Sequence, residues 1–320
     1  MWLVGLLFLA RTAMADAPLE PGDYSLSVGA GAATRPYLLH VPKQNNENLP
    51  LVMMLHGAGG TASGAAEHYG WREQADAGGF IVVFPQGLPF DLSRPANFRE
   101  NPNVWDDFSG RMDKVKRPDD VTYLLAVLDD VASRCAVDRN RIYLTGFSNG
   151  ASMTFRMGIE RADTFAAIAP VSGHCWHKDI SLKRPVPMLF IVGTADPLNP
   201  INGGMGADPW GARTLKPPYS DSVTAWRAAI GAADSPAPTH QAEGVTTTTY
   251  IGAGGCPLIY LTIDGQGHEW PGHRRTLPRV LTGENRMTPD ATAMIWNFFK
   301  DQSLSGPSAA RSSLNGSTGR

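Results

Sequence analysis

The chain has 320 residues, 42% of them apolar and 18% charged. That is enough to fill one large core or two modest ones, with too little charge for a disordered polypeptide. The formal net charge is −2 and no Lys/Arg stripe is visible, so the electrostatic footprint of a nucleic-acid binder is missing and a neutral or small organic substrate fits better.

At the start, Trp2 to Ala10 is an apolar run followed by Ala13-Met14-Ala15, a small-x-small cleavage pattern. Residues 1–15 therefore read as a signal peptide cut after Ala15, and the protein as secreted or periplasmic. The run is far shorter than the roughly 18 apolar residues of a membrane span, and no cysteine lies near it to carry a lipid, so no membrane anchor is expected.

Short aliphatic or β-branched runs then alternate with helical patterns. Leu51 to Leu55, Phe80 to Phe84, Arg141 to Thr145, Ala166 to Val171, Met188 to Val192 and Leu258 to Ile263 read as buried strands. Between them, Val121, Leu124, Leu125, Leu128, Val131 and Cys135 fall three or four apart, predicting a helix from about Asp119 to Cys135 capped by Asp119 or Asp120. Near the end Ala291, Met294, Ile295, Phe298 and Phe299 repeat the spacing after Thr288-Pro289, a capping residue and a first-turn proline. Strands alternating with helices imply an α/β fold, a mostly parallel sheet covered on both faces. One catalytic domain over residues 18–302 is expected, with no internal repeat, followed by a Ser/Gly/Ala-rich mobile tail at 303–320.

Gly146-Phe147-Ser148-Asn149-Gly150 directly follows a predicted strand and precedes a helical pattern. In that context G-x-S-x-G is a nucleophile elbow: a sharp strand-to-helix turn strains the serine backbone, leaves no room for side chains two before and two after, and lifts the hydroxyl above the sheet. A serine hydroxyl needs a base, and the base needs a carboxylate to hold its tautomer. Asp196, in Gly193-Thr194-Ala195-Asp196-Pro197, follows one strand, and His268, in Gly265-Gln266-Gly267-His268, follows another. The order Ser, Asp, His is that of α/β-hydrolases. Oxyanion donors are expected from the backbone N–H of Asn149 and of Ala58, the latter in the loop His56-Gly57-Ala58-Gly59-Gly60. His56 itself reads as a substrate contact or a structural hydrogen-bonder rather than a catalyst.

Three cysteines cannot all pair, and none lies in a C-x-x-C unit. Cys135 falls on a helix stripe as a small hydrophobe, which leaves Cys175 and Cys256 as the one pair an oxidising compartment could join. His174-Cys175-Trp176-His177 lacks a third ligand at metal-site spacing, so no metal is expected. Glu269 reads as solvated or structural, and Trp105, Trp176 and Trp210 as loop residues that either line an aromatic pocket or pack.

The segments LHGAGG, TGFSNGASM, VGTADPLNPINGG and GQGHEWPG, with a closing helix ending IWNFF, resemble the polyhydroxybutyrate depolymerase and feruloyl esterase family of secreted α/β-hydrolases over roughly residues 36 to 300. The resemblance implies hydrolysis of hydroxyalkanoate or hydroxycinnamate esters through Ser148, Asp196 and His268, without metal or organic cofactor, and an aromatic wall at Trp270-Pro271. It points first to 3-hydroxyalkanoate oligomers or polymer, with feruloyl or acetyl esters of plant polysaccharide as the alternative. Extracellular depolymerases of this type often add a linker and a polymer-binding domain. This chain stops about twenty residues after its last predicted helix, which counts against attack on crystalline polymer. Many relatives carry a cysteine near the helix before Cys256; Ile230-Gly231-Ala232-Ala233 has none, so the family disulfide is not carried over. A serine peptidase could use the same triad but would need charged groups for peptide termini. A binding module on the same fold would need a broken triad. No obligate protein partner is evident.

Overall fold

A computed structural model describes residues 19–306, apart from 31–32, 44–47, 209 and 212. The expected signal segment and the tail from 307 onward lie outside the described residues. In chain order the elements are β1 (Gly22–Ala30), β2 (Ala33–Val41), β3 (Leu49–Leu55), α1 (Ala62–His68), α2 (Trp71–Gly78), β4 (Ile81–Pro85), β5 (Leu88–Pro89) and β6 (Asn103–Val104). Next come α3 (Asp120–Arg134), β7 (Val137–Phe147), α4 (Asn149–Glu160), β8 (Ala167–Val171), β9 (Met188–Gly193), β10 (Gly204–Ala207) and β11 (Arg213–Lys216). The last are α5 (Tyr219–Ala229), β12 (His240–Ala242), β13 (Val245–Ile251), β14 (Pro257–Ile263), α6 (Arg279–Thr282) and α7 (Ala291–Phe299).

Ten strands form one sheet in the order β1-β2-β4-β3-β7-β8-β9-β14-β13-β12. Its centre, β4-β3-β7-β8-β9-β14, is parallel throughout, and only the two edges are antiparallel. All six expected strands lie in the parallel centre, because a strand covered on both faces reads as a nearly continuous apolar run. Alternate residues then serve opposite cores. Leu51, Met53 and Leu55 of β3 and Met188, Phe190 and Val192 of β9 face α3, α4 and α5. Val52 and Met54, with Leu189 and Ile191, face α1, α2 and α7. The edge strands escaped the search for unbroken runs: in β1 only Tyr24, Leu26 and Val28 pack inward, each next to a polar neighbour.

The helix at Asp120–Arg134 is capped by Asp119, whose carboxylate accepts the Thr122 N–H. For α7 the cap is Asp290, which accepts the Ala293 N–H, and not Thr288. The Leu304 N–H donates to the Asn140 carbonyl at 3.0 Å, so the start of the expected tail rests on the domain. Among the described residues no helix is long and apolar enough to cross a membrane.

Cys175 and Cys256, the one pair the sequence left open, are not joined; all three thiols are free and buried. Cys175 follows the carboxyl end of β8 while Cys256 precedes the amino end of β14, and the intervening strands are parallel. At about 3.3 Å per residue, a strand length separates them, far beyond the roughly 7 Å between Cα atoms that a disulfide spans.

Candidate active site

Ser148 is the single residue between the end of β7 and the start of α4, with φ 55° and ψ −116°, a backbone region that costs a non-glycine residue of order 1–3 kcal/mol. Close approach explains the flanking glycines. A Cβ on Gly146 would sit 2.4 Å from the Gly150 carbonyl oxygen, and one on Gly150 would sit 2.5 Å from the carbonyl oxygens of both Leu55 and His56. The turn is held by the Ser148 N–H donating to the Val171 carbonyl at 2.9 Å.

His268 and Asp196 reach this serine from two other strand ends. The His268 Nε2 lies 2.8 Å from Ser148 Oγ and its Nδ1 lies 2.6 Å from Asp196 Oδ2. The other carboxylate oxygen of Asp196 accepts the Leu198 and Asn199 N–H groups at 2.9 and 2.8 Å. The carboxylate is therefore fully engaged, Nδ1 of His268 carries the proton, and Nε2 is left to accept from the serine. The His268 loop is pinned from behind: its N–H donates to the Thr282 carbonyl at 2.6 Å. Glu269 is structural. Fully buried, it accepts from the N–H and hydroxyl of Thr276, the N–H of Leu277 and the hydroxyl of Thr282.

On the other side of Ser148 stand the N–H groups of Ala58 and Asn149, neither with an acceptor among the described residues. Asn149 opens α4, so the helix dipole adds to its N–H. This pair is fixed by Trp105, one of the loop tryptophans, together with Asn103 and Asp107, which sequence reasoning did not single out. The Asn149 side chain accepts the Trp105 N–H at 2.7 Å and donates to the Trp105 carbonyl and to Asp107. The Trp105 indole donates to the His56 carbonyl at 2.9 Å, and the Gly59 N–H to the Asn103 carbonyl at 2.8 Å. Trp105 is thus fully buried packing, while Trp176 and Trp210 do line the cavity.

Two substrate-contact expectations are corrected. Trp270 is fully buried, stacked on Tyr69 at 4.8 Å with its indole donating to Thr292; it lies behind Tyr69 and Phe147, which themselves line the cavity. His56 reaches the cavity wall, yet both ring nitrogens are taken: Nδ1 donates to the Gly57 carbonyl and Nε2 accepts the Gly87 N–H. It clips the glycine loop to the chain after β4 and has no polar atom to offer a substrate. Burial pushes its pKa down to about 4.

The cavity over Ser148 has a volume of about 260 Å³. Its roof is built by two excursions from the sheet, the loop between β5 and β6 and the hairpin β10–β11. Phe98 from the first meets Trp210 from the second, ring centroids 5.6 Å apart, and the Trp210 indole donates to the Phe98 carbonyl. Phe98 also lies over Gly59, where a Cβ would come within 2.7 Å of its ring. The length of these connections was the one available signal, since long loops in a compact domain are usually functional.

The sequence profile described as Esterase PHB depolymerase matches residues 36–204. The chain belongs to this polyhydroxybutyrate depolymerase esterase family. It is 30% identical over 283 residues to NocK of Nocardia uniformis subsp. tsuyamanensis, a protein named as an esterase, covering 82% of this chain and 77% of that one. It is 26% identical over 275 residues to a protein named feruloyl esterase C of Aspergillus flavus, covering 83% of each. Against poly(3-hydroxyalkanoate) depolymerase C of Paucimonas lemoignei the identity is 31% over 172 residues, 52% of this chain and 39% of that protein. The fold matches an acetyl xylan esterase from Aspergillus awamori with TM-score 0.60 at 17% identity, over 87% of this chain and 99% of that one. The protein has the α/β-hydrolase fold and, like its esterase family, is a carboxylic ester hydrolase.

Proposed function

We propose that Ser148 is the nucleophile of an ester hydrolase acting on short 3-hydroxyalkanoate esters, His268 its base, and Asp196 the residue that orients His268. The observation that carries this reading is the unbroken hydrogen-bonded chain from Ser148 Oγ through His268 to Asp196 on one side of the serine, with two unpaired N–H groups on the other. Ser148 Oγ attacks the ester carbonyl carbon while its proton passes to His268 Nε2. The developing oxyanion accepts from the Ala58 and Asn149 N–H groups, donors of a kind worth about 3 kcal/mol each. Collapse expels the alkoxide, which takes the proton from His268. Water, deprotonated by His268, then attacks the acyl carbon, and collapse breaks the bond to Ser148 Oγ, which takes the proton back from His268 as the acid leaves. Besides water, the whole sequence needs three side chains and two backbone N–H groups of this chain.

A second reading, an esterase for feruloyl or acetyl groups on polysaccharide, draws on the aromatic roof of Phe98 and Trp210 and on the relatives named for those activities. Within our reading the catalytic unit spans 18–302, and the apolar run Trp2 to Ala10 directs export to the periplasm or medium.

The test is acid release from soluble 3-hydroxybutyrate oligomers and from methyl ferulate, side by side, with Ser148→Ala as the blank. Preference for the oligomer, abolished in Ser148→Ala, is the expected result, and preference for ferulate promotes the second reading. Activity that survives in Ser148→Ala overturns the mechanism.

A further inference from the structure

The cavity holds charges that the triad chemistry does not use. Lys216, the last residue of β11, is half-buried and lines the cavity, with its ammonium 5.7 Å above the Trp176 ring. Arg111, from the segment between β6 and α3, lines the same cavity. Among the described residues neither cation makes an ion pair or a side-chain hydrogen bond. The two are close enough for Arg111 to work, after burial itself, against the charge on Lys216, whose pKa is lowered.

Three carboxylates act on Lys216 from a distance in the favourable sense, those of Asp107, Asp208 and Asp196. Each has partners of its own. Asp107 accepts from the Asn149 amide and the Ser109 N–H, Asp208 accepts the Trp210 N–H, and Asp196 holds His268. His174 is the third polar group at this end of the cavity. It is 1% exposed, stacked on Tyr219 at 4.5 Å and packed beside Trp176. Neither of its ring nitrogens makes a hydrogen bond of ordinary geometry, and the Asn199 amide beside it donates to the Ser172 carbonyl instead. Burial first, then Lys216, pushes its pKa down to about 3, so the imidazole stays neutral and adds no charge of its own.

Lys216, half-buried, unpaired and facing the like charge of the exposed Arg111, costs free energy until an anion enters, and a carboxylate between the two cations recovers that cost. We propose that Lys216 and Arg111 form an anion subsite that selects esters ending in a free carboxylate, as a 3-hydroxyalkanoate oligomer does and a neutral polysaccharide ester does not. The inference rests on the hydroxyalkanoate reading above and sharpens it: the charged end of a short oligomer is read by the β10–β11 hairpin while the ester next to it meets Ser148. A polymer interior carries no such charge, so the subsite favours soluble oligomers and terminal bonds.

The experiment compares the 3-hydroxybutyrate dimer as free acid with the same dimer as its methyl ester. For the wild-type protein kcat/KM is expected to be at least tenfold higher for the free acid, mostly through KM, with the ratio falling as sodium chloride rises. In Lys216→Met the ratio falls to between one and two, and in Arg111→Gln, a change at an exposed position that leaves the core alone, it falls part of the way. A wild-type ratio below two, or a ratio that neither substitution moves, overturns the subsite. Calorimetric titration of Ser148→Ala with the two dimers gives a reading independent of turnover. At least tenfold tighter binding of the free acid, lost on adding Lys216→Met, supports the subsite, and equal affinities or no binding of either overturn it. Absence of hydrolysis of both dimers by the wild-type protein sinks the hydroxyalkanoate reading alone, since the calorimetry still decides the subsite.

Discussion

Gly150→Ala tests whether the close contact between β3 and α4 sets the site. The added Cβ would meet the carbonyl oxygens of Leu55 and His56 at 2.5 Å and the Leu55 carbonyl carbon at 2.9 Å. All are backbone atoms that cannot rotate away. Relief to an ordinary carbon–oxygen separation requires the end of β3 and the start of α4 to part by about 0.7 Å, a strain of the kind that costs about 1–3 kcal/mol in a packed interior. For a domain of this size that is a fall of roughly 2–5 °C in Tm. The expected loss of activity is larger. Ala58 lies three residues beyond the end of β3 and Asn149 immediately precedes Gly150, so the two N–H groups proposed to hold the oxyanion sit on opposite sides of the gap. A displacement approaching 1 Å at reacting groups costs about 10²-fold, so kcat on p-nitrophenyl butyrate should fall roughly 30- to 100-fold. Gly29→Ala, where an added Cβ meets nothing within 4 Å, is the control and should match wild type in both measurements. A Gly150→Ala protein with wild-type Tm and kcat within twofold of wild type would refute the reasoning.

Asp196→Asn should keep the fold and lose about 10⁴ in kcat. The amide oxygen stays on the Leu198 and Asn199 N–H groups, which turns the NH₂ toward His268 and leaves Nε2 protonated against the serine; retention of more than a tenth of the activity would contradict this. Stability should fall with acid well above the carboxylate range. The pKa values of His56 and His174, depressed by burial to about 4 and about 3, lie below the ordinary value near 6.5, so the unfolded chain binds protons first and stability present above pH 6.5 is lost as pH falls toward 4. Each histidine contributes a slope of up to about 1.4 kcal/mol per pH unit. Urea unfolding at pH 7, 5.5 and 4.5 checks it, and a flat profile over that window would show the imidazoles to be solvated. Trp270→Phe should cost about 1–2 kcal/mol of stability through the lost indole hydrogen bond to Thr292, with KM for a short ester within twofold of wild type. A large rise in KM would put Trp270 back at the substrate.

The hydrogen-bonded set Ser148, His268 and Asp196 was legible residue by residue because each member follows the carboxyl end of a strand whose closing stretch is mostly apolar, Ile142 to Phe147, Met188 to Gly193 and Leu258 to Ile263, and glycines mark the turns that follow. Those are local properties, written in consecutive residues, and the parallel centre of the fold follows from the same runs. The supports were not legible. Trp105, Asn103 and Asp107 look like ordinary loop residues until the loop after β4 folds back against the glycine turn after β3.

What the sequence determined by itself was therefore the constellation: a serine on a strained turn, a histidine and an aspartate placed to reach it, and the sheet that presents them. Only the tertiary structure decided what surrounds that chemistry. It buried Trp270 behind the cavity wall, occupied both ring nitrogens of His56, kept Cys175 and Cys256 a strand length apart at opposite ends of the sheet, and brought Lys216, Arg111 and His174 to the cavity. The physical reason is range: backbone strain and hydrophobic period act over a few residues, whereas the direction of a side chain and the partner of a charge depend on elements a hundred residues away packing first.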